Sequence, residues 1–530
     1  MSSSDHKITR RGFIRMTGLA GISAGMAAYD PAKIAALARL PRLQGEVKMG
    51  GKLIIGLNGD TKTLDPHVSQ LWVWQNARRQ MFEQLLRLDA KGNVLPFLAK
   101  DFAWVDNMTL EVNLRTDVIF HNGESFSADD VKYTFDRLAT PDLPSEYPPR
   151  LVGVDSVEVA GPDKVVFHLK SPDATFTTLL ADIDIISKSV PMDQIPTKPV
   201  GTGAFKYGEW LPNESLRFSR FDQYHEPGLP YLDEIIYKPI PDSEARIASL
   251  LSGDIDVNFE VAIKDIARLA TSDGVSVKKL SGGTIWIFYL NLRQPPFDDK
   301  RVRQALLYGF DRQSYNRDFL SGLARVTNSP IDPSHPAYNA AVDEMYPYDP
   351  DKAKELLTEA GYPDGEGLEI EIIYPIGLEE YRTASEYFQS QMADINVDVK
   401  IVGMELAAWS NKIIKEKTYQ IAFDGRGVAV SQPADPYNDF TFTKPDPENF
   451  DGFVEDTIPG YLDLIKQGLE ETDPDKRNAI YQQLQQMWAD ELPGYILVAS
   501  PNFLVNRDWV IDYDKWGVQP FRLYETWLNK

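Results

Sequence analysis

Thiol, imidazole and hydroxyl chemistry can be decided first from the residue inventory. Among 530 residues there is no cysteine, which removes disulfides, thiolate nucleophiles, Cys-ligated zinc, iron–sulfur clusters and cysteine-linked lipids. The six histidines, His6, His67, His121, His168, His225 and His335, are too far apart for a helical H-E-x-x-H site, so no metal site and no cofactor are expected. One G-x-S-x-G string, Gly21-Ile22-Ser23-Ala24-Gly25, falls inside an uncharged run of small residues and reads as coincidence. With 78 acidic residues, a carboxylate pair suited to glycoside hydrolysis can be drawn almost anywhere. An exported glycoside hydrolase therefore stands only as a rival reading. The chemistry left is recognition: 10 tryptophans, 24 tyrosines and 25 phenylalanines can wall a ligand site, and arginine can grip carboxylate or phosphate bidentately.

The elements that must position such residues belong to a large chain, since about 150 residues per domain implies roughly three to four packing units. A composition of 43% hydrophobic and 25% charged residues is that of a soluble globular protein and excludes collagen, coiled coil and wholesale disorder. The net charge of −23 argues against nucleic acid and against anionic membrane surfaces as partners. Strand-like and helix-like segments alternate from Lys52 onward. Lys52–Leu57, Thr109–Leu114 and Glu369–Tyr374 read as strands, and Trp74–Leu86, Tyr381–Met392 and Leu406–Ile414 as helices. Asp349-Pro350 opens a helix that Gly361 closes, and Asp473-Pro474 opens another whose apolar face is Ile480, Leu484, Met487 and Trp488. The fold class is mixed α/β. Pro and Gly cluster at Pro141–Pro149, Pro191–Gly203, Gly282-Gly283 and Pro433–Pro436, marking joints between packed segments, since no tract has the composition of a flexible tether.

The first 42 residues read as an address. Thr9-Arg10-Arg11-Gly12-Phe13-Ile14-Arg15 precedes an uncharged run from Met16 to Tyr29, which resembles a twin-arginine export signal. The run is shorter than the roughly 20 residues of a membrane-spanning helix. Ala36-Leu37-Ala38 and Gly25-Met26-Ala27 are the candidate cleavage sites. Seven basic and two acidic residues lie in this region, leaving a net charge of −28 beyond it. With no cysteine to carry lipid, an exported form would be free in a periplasm.

Several strings together resemble the extracytoplasmic solute-binding proteins of peptide-type ABC importers, the oligopeptide/dipeptide/nickel-binding family. They are Thr63-Leu64-Asp65-Pro66-His67, Leu110–Arg115 with Val118–Gly123, Ser127-Ala128-Asp129-Asp130-Val131, Val200–Phe205, Leu251–Asp256, and Asn291 followed by Pro296–Leu306. Most of these strings read as scaffold: Asp129-Asp130 as a helix start and Asn122-Gly123 as a turn pair. The resemblance implies a two-lobe periplasmic binding protein fold that closes on its ligand at a two-strand hinge, with crossings near Thr284–Asn291 and Leu497–Asn502. Lobe I is expected over 46–285 and 500–530, with an extra subdomain at about 92–184, and lobe II over 286–499.

The resemblance also implies where ligand contacts fall. Trp72 and Trp74, with Gln70 nearby, follow the loop that relatives bring to the cleft. Trp286 and Phe288 lie on a crossing strand, two residues apart and so on one face. Trp409 reads as packing. In Phe423–Pro436, peptide binders carry an aromatic residue and an aspartate that pairs with the ligand's α-ammonium. Here Ala429 and Gln432 occupy those positions. Gln432 carries no charge, so the roughly 1.5–3 kcal/mol of a charge-assisted bond is lost. Arg426 falls where oligopeptide binders meet a ligand carboxylate, with Asp424 as its structural alternative partner, and Arg382 matches a basic position of dipeptide binders.

The function expected from this reading is a non-catalytic periplasmic receptor, monomeric and not inserted in the membrane after cleavage, delivering a small-molecule solute to ABC permease subunits. An aromatic-rich cleft without the ammonium-binding aspartate favours an oligosaccharide, glycoside, sugar-phosphate conjugate or opine, with a di- or oligopeptide as the alternative. Haem and nickel chelates gain little from scattered histidines, and a signalling or chaperone-like receptor would bind the same solute.

Overall fold

Alternating burial starts at once in β1 (Lys52–Leu57), where Leu53 and Ile55 enter the core. The computed structural model describes residues 46–68, 72–89, 92–140, 143–145, 147–376, 379–427, 458–514 and 522–530. These fall into two units, one within Ala36–Ser281, Leu469–Thr472 and Phe503–Lys530, the other within Gly282–Gly468 and Asp473–Asn502. Apart from the short stretch Leu469–Thr472, the chain changes unit at 281/282 and 502/503, where the sequence reading drew 285/286 and 499/500.

In the first unit, β1 leads to a helix over Trp72–Met81. The helix expected over Trp74–Leu86 therefore stops early, and Leu86 opens β2 (Leu86–Leu88), which pairs with β3 (Val94–Pro96). The stop has a tertiary cause: the Val200–Phe205 string docks on the helix end, and Gly203 N donates to Met81 O at 2.8 Å. A Cβ on Gly201 would overlap that same carbonyl, so the string needs glycine for close approach. β4 (Ala99–Trp104), β5 (Thr109–Leu114), β6 (Val154–Gly161) and β7 (Lys164–Leu169) form an antiparallel sheet in the order β4-β5-β7-β6. Leu110, Val112 and Leu114 face its core, which also gathers Phe120, Val131, Phe135 and Phe167. The helix Ala128–Leu138 packs there behind a capping box in which Ser127 N donates to Asp130 Oδ2 at 2.9 Å.

β8 (Phe205–Leu211), β9 (Ser215–Arg220) and β10 (Glu234–Pro239) follow as an antiparallel run. After the helix Ser243–Ser252 comes β11 (Val257–Asn258). β1 lies between β10 and β11 and is parallel to both. The chain passes from one neighbour of β1 to the other, a switch in topology that leaves the carboxyl ends of these strands open for side chains to fill.

The second unit begins inside β12 (Val275–Leu290) and holds β13 (Glu369–Pro375), β14 (Asp398–Met404), β15 (Ile421–Gly427) and the start of β16 (Gly494–Arg507), in the order β14-β13-β15-β12-β16. β13 is parallel to β14 and β15, and β12 is antiparallel to β15. The capped helices appear as Pro350–Glu359 and Pro474–Glu491, with Asp349 and Asp473 accepting backbone N–H groups at their starts. The helix expected over Leu406–Ile414 is α-helical only over Leu406–Ser410 and continues as a π-turn from Asn411 to Glu416. Gly283, at φ +139°, lies against β16 so closely that a Cβ would overlap the Ser500 carbonyl.

The Thr63–His67 string has a buried structural role. Asp65 accepts both Arg137 Nη atoms, at 3.1 and 2.5 Å. His67 Nε2 donates to Asp184 O at 2.8 Å, and its Nδ1 accepts from Arg137 at 2.7 Å. Burial, reinforced by Arg137, lowers the His67 pKa to about 4. Burial likewise lowers His121, whose Nε2 meets Gly203 O, to about 4. Both stay neutral in the fold, whereas the unfolded chain protonates them near pH 6.5. Their contribution is complete above that pH and is lost as pH falls toward 4. Urea unfolding should show a drop of roughly 2 kcal/mol per histidine between pH 7 and 4.5, and a flat profile would contradict this. Gly283→Ala should cost about 1–3 kcal/mol, and a change within about 0.5 kcal/mol would refute the close approach to Ser500.

Candidate functional site

Each unit places its polar side chains at the carboxyl ends of parallel strands. In the first unit, Asn58 follows β1, Ile240 and Pro241 follow β10, and Glu260 follows β11. Arg246, buried on the helix Ser243–Ser252, ties these ends together. Its Nη1 donates to Ile240 O at 2.6 Å and Pro241 O at 2.9 Å, its Nε to Asn258 Oδ1 at 3.2 Å, and its Nη2 to Glu260 O at 3.3 Å. Burial lowers the Arg246 pKa against the pull of Glu260 and Asp242. Asn58 Nδ2 donates to Glu260 Oε2. Nearby, Asp60 accepts from Trp210 Nε1 at 3.1 Å and Asn213 N at 2.7 Å, which fixes the loop after β1.

In the second unit, the pairing of β15 with β13 ends at Ala422, while its pairing with β12 continues to Gly427. Among the described residues, Phe423–Gly427 therefore has a strand on one side only. Tyr381, on the helix Glu379–Ala393, reaches this edge. Its hydroxyl donates to Asp424 Oδ1 and accepts from Gly425 N, both at 3.2 Å. Gly425 lies opposite Trp286, and a Cβ there would come 3.0 Å from Thr284 and 3.1 Å from the Tyr381 hydroxyl.

The residues singled out from the sequence are placed unequally. Trp286 is 9% exposed at the strand end beside Gly425. Phe288 shares its face but is wholly buried, its ring 4.3 Å from Phe423, 5.0 Å from Phe388 and 5.8 Å from Phe310, centroid to centroid. That is a core position, because the helix bearing Phe388 covers it. Trp74 is also wholly buried, its Nε1 donating to Asp65 O at 2.9 Å, a packed position. Trp409 is buried as expected of packing. Arg382 is half exposed and paired along its own helix, with Glu386 at 2.8 Å and Glu379 at 3.5 Å. Arg426 lies opposite Ile285 in β15. Its side chain and that of Trp72 are outside the described set, and Gln70 and Gln432 lie outside the described residues altogether.

Sequence reasoning missed Asn58, Glu260, Arg246 and Tyr381. The available signal was positional, a polar residue just beyond a strand end on either side of a topology switch. A hollow of about 680 Å³ in the first unit, lined by Phe97, Lys100, Arg115 and Glu226 among others, is less apt as the main site. Its arginine is already engaged, Arg115 gripping Asp117 at 2.7 Å and Glu226 at 2.8 Å. No cluster of potential metal ligands occurs among the described residues, and no described helix is long and apolar enough to cross a membrane.

Comparison with known proteins follows from this geometry. Residues 93–448 match the bacterial extracellular solute-binding proteins, family 5. The glutathione-binding protein GsiB of Salmonella paratyphi A is 28% identical over 463 residues, spanning 84% of this chain and 89% of its own. In structure, DppA of Helicobacter pylori in complex with the peptide STSA superposes with a TM-score of 0.78 at 24% identity, over 91% of this chain and 99% of that one. AppA of Bacillus subtilis in complex with a nonapeptide does so with a TM-score of 0.77 at 24% identity, over 92% and 100%. The mixed α/β units, the extra antiparallel sheet and the matched span converge: this chain belongs to the family 5 bacterial extracellular solute-binding proteins.

Proposed function

We propose that the solute is a short peptide or peptide-like compound of the glutathione kind, delivered to an ABC permease. Family 5 receptors bind solutes without turning them over, so the exported glycoside hydrolase is set aside. The observation that carries the ligand class is the one-sided strand Phe423–Gly427. Gly425 N on its second edge is met by the Tyr381 hydroxyl and Asp424, and the edge's other backbone groups are where an extended peptide would add as a strand. The relatives named glutathione-binding, 24–30% identical to this chain, support the same class.

The sugar-like solute favoured by the sequence loses its physical basis. Of the rings expected to wall the site, Phe288 and Trp74 are core residues and Trp286 is nine-tenths buried. Among the described rings the stacking area left for a glycoside is therefore small. The −28 charge of the chain beyond residue 42 does not bar an anionic peptide, and Arg426 is the residue we assign to a solute carboxylate.

Calorimetry with reduced glutathione, tri-alanine and a panel of sugars tests the reading. One peptide-class compound should bind 1:1, and Arg426→Ala should weaken it by about 1.5–3 kcal/mol. Tight binding of a sugar with no peptide bound would overturn it.

The periplasmic location and the twin-arginine route are part of the same proposal. Replacing Arg10 and Arg11 by Lys should strand the precursor in the cytoplasm, and undiminished periplasmic protein would refute the route.

A further inference from the structure

Just past β11 the chain turns through Glu260 at φ +60°, a left-handed conformation that a non-glycine residue holds only when its surroundings enforce it. Here the enforcement is visible. The Glu260 carbonyl accepts from buried Arg246, which also grips the ends of β10 and β11, and the Glu260 side chain accepts from Asn58 at the end of β1. Backbone strain and two neighbouring strand ends thus serve to aim one carboxylate.

That carboxylate feels the charge of Arg246 but is not paired by it. Among the described residues no lysine or arginine side chain forms an ion pair with it, since Arg246 spends its Nη2 on the Glu260 backbone oxygen. Solvent reaches the residue, yet withdrawal of water by the surrounding protein pushes its pKa above the ordinary carboxylate range, against the pull of Arg246 and Asn58. A carboxylate in that condition is relieved by an incoming cation. The other acids at this end are committed: Asp60 to Trp210 and Asn213, Asp242 to the helix start at Ala245 N, and Asp265 to Arg268.

We propose that Glu260, oriented by Asn58, binds the ammonium group of the solute. The proposal rests on the peptide reading above and deepens it, because it names a carboxylate of the first unit for the solute's ammonium, a charge that Gln432 does not carry. The recognition is charge-assisted N–H···O bonding at the carboxyl ends of β1 and β11, and it selects solutes with a free amine over their acylated counterparts.

The test is calorimetry at pH 7 with two matched probe pairs, reduced glutathione with N-acetylglutathione and tri-alanine with N-acetyl-tri-alanine. The unmodified protein should prefer the free amine of the pair it binds by about 10-fold or more. Glu260→Gln, which keeps the shape and the bond to Asn58, should weaken the free-amine compound about 10- to 100-fold while leaving the acetylated one unchanged. Asn58→Ala, which keeps the charge but frees the side chain, should reduce the preference several-fold. Thermal melting of both variants checks the fold. Equal binding of both members of a pair by the unmodified protein, or unchanged free-amine binding by Glu260→Gln, overturns the assignment and leaves the peptide reading standing. An unmodified protein that binds neither pair overturns both.

Discussion

The arrangement depends on one constraint: β1 has parallel neighbours on both sides, and the chain must cross from β10 to β11 to supply them. Parallel strands bring their carboxyl ends to one edge, and the crossover keeps the connecting helix from covering that edge. Arg246 makes the edge rigid. A buried guanidinium is costly without acceptors, and this one is met by three carbonyl oxygens and Asn258. Removing it would leave those acceptors unpaired and release the turn at Glu260. The second unit obeys the same rule around β13, which β14 and β15 flank in parallel, and Tyr381 there holds Asp424 and Gly425 of β15.

Much of the scaffold was legible in the sequence because its causes are local. The alternation in Thr109–Leu114, the Asp-Pro helix starts at 349 and 473 and the helix start at Asp129-Asp130 are short-range statements, and all appear in the structure. The strings that resembled the family proved structural. Asp65 meets an arginine 72 positions away, and Gly201 and Gly203 receive the end of the helix Trp72–Met81. Where the cause was tertiary, local reading failed. The same helix ends at Met81 because a distant loop takes its carbonyls, and no pattern within 74–86 records that.

The candidate site was legible only in part, for a related reason. A tryptophan or phenylalanine in a strand looks the same in sequence whether a helix covers it or not, so Phe288 and Trp74 could not be distinguished from ligand walls. Glu260 gave no motif at all. Its role follows from a left-handed backbone and from the neighbours that hold it, both products of the assembled sheet. What the sequence offers is a polar residue two positions past the end of a short strand, which acquires meaning once the strand order is known.

Hydrogen–deuterium exchange on the mature protein, with and without reduced glutathione at saturation, tests most directly that the solute meets the strand ends described in each unit. The account predicts slowed exchange in Leu57–Thr61, Val257–Glu260 and Phe423–Gly427, with little change in the antiparallel sheet of the first unit. Protection confined to that sheet and to the hollow around Arg115 and Glu226, with the strand ends exchanging as before, would contradict it.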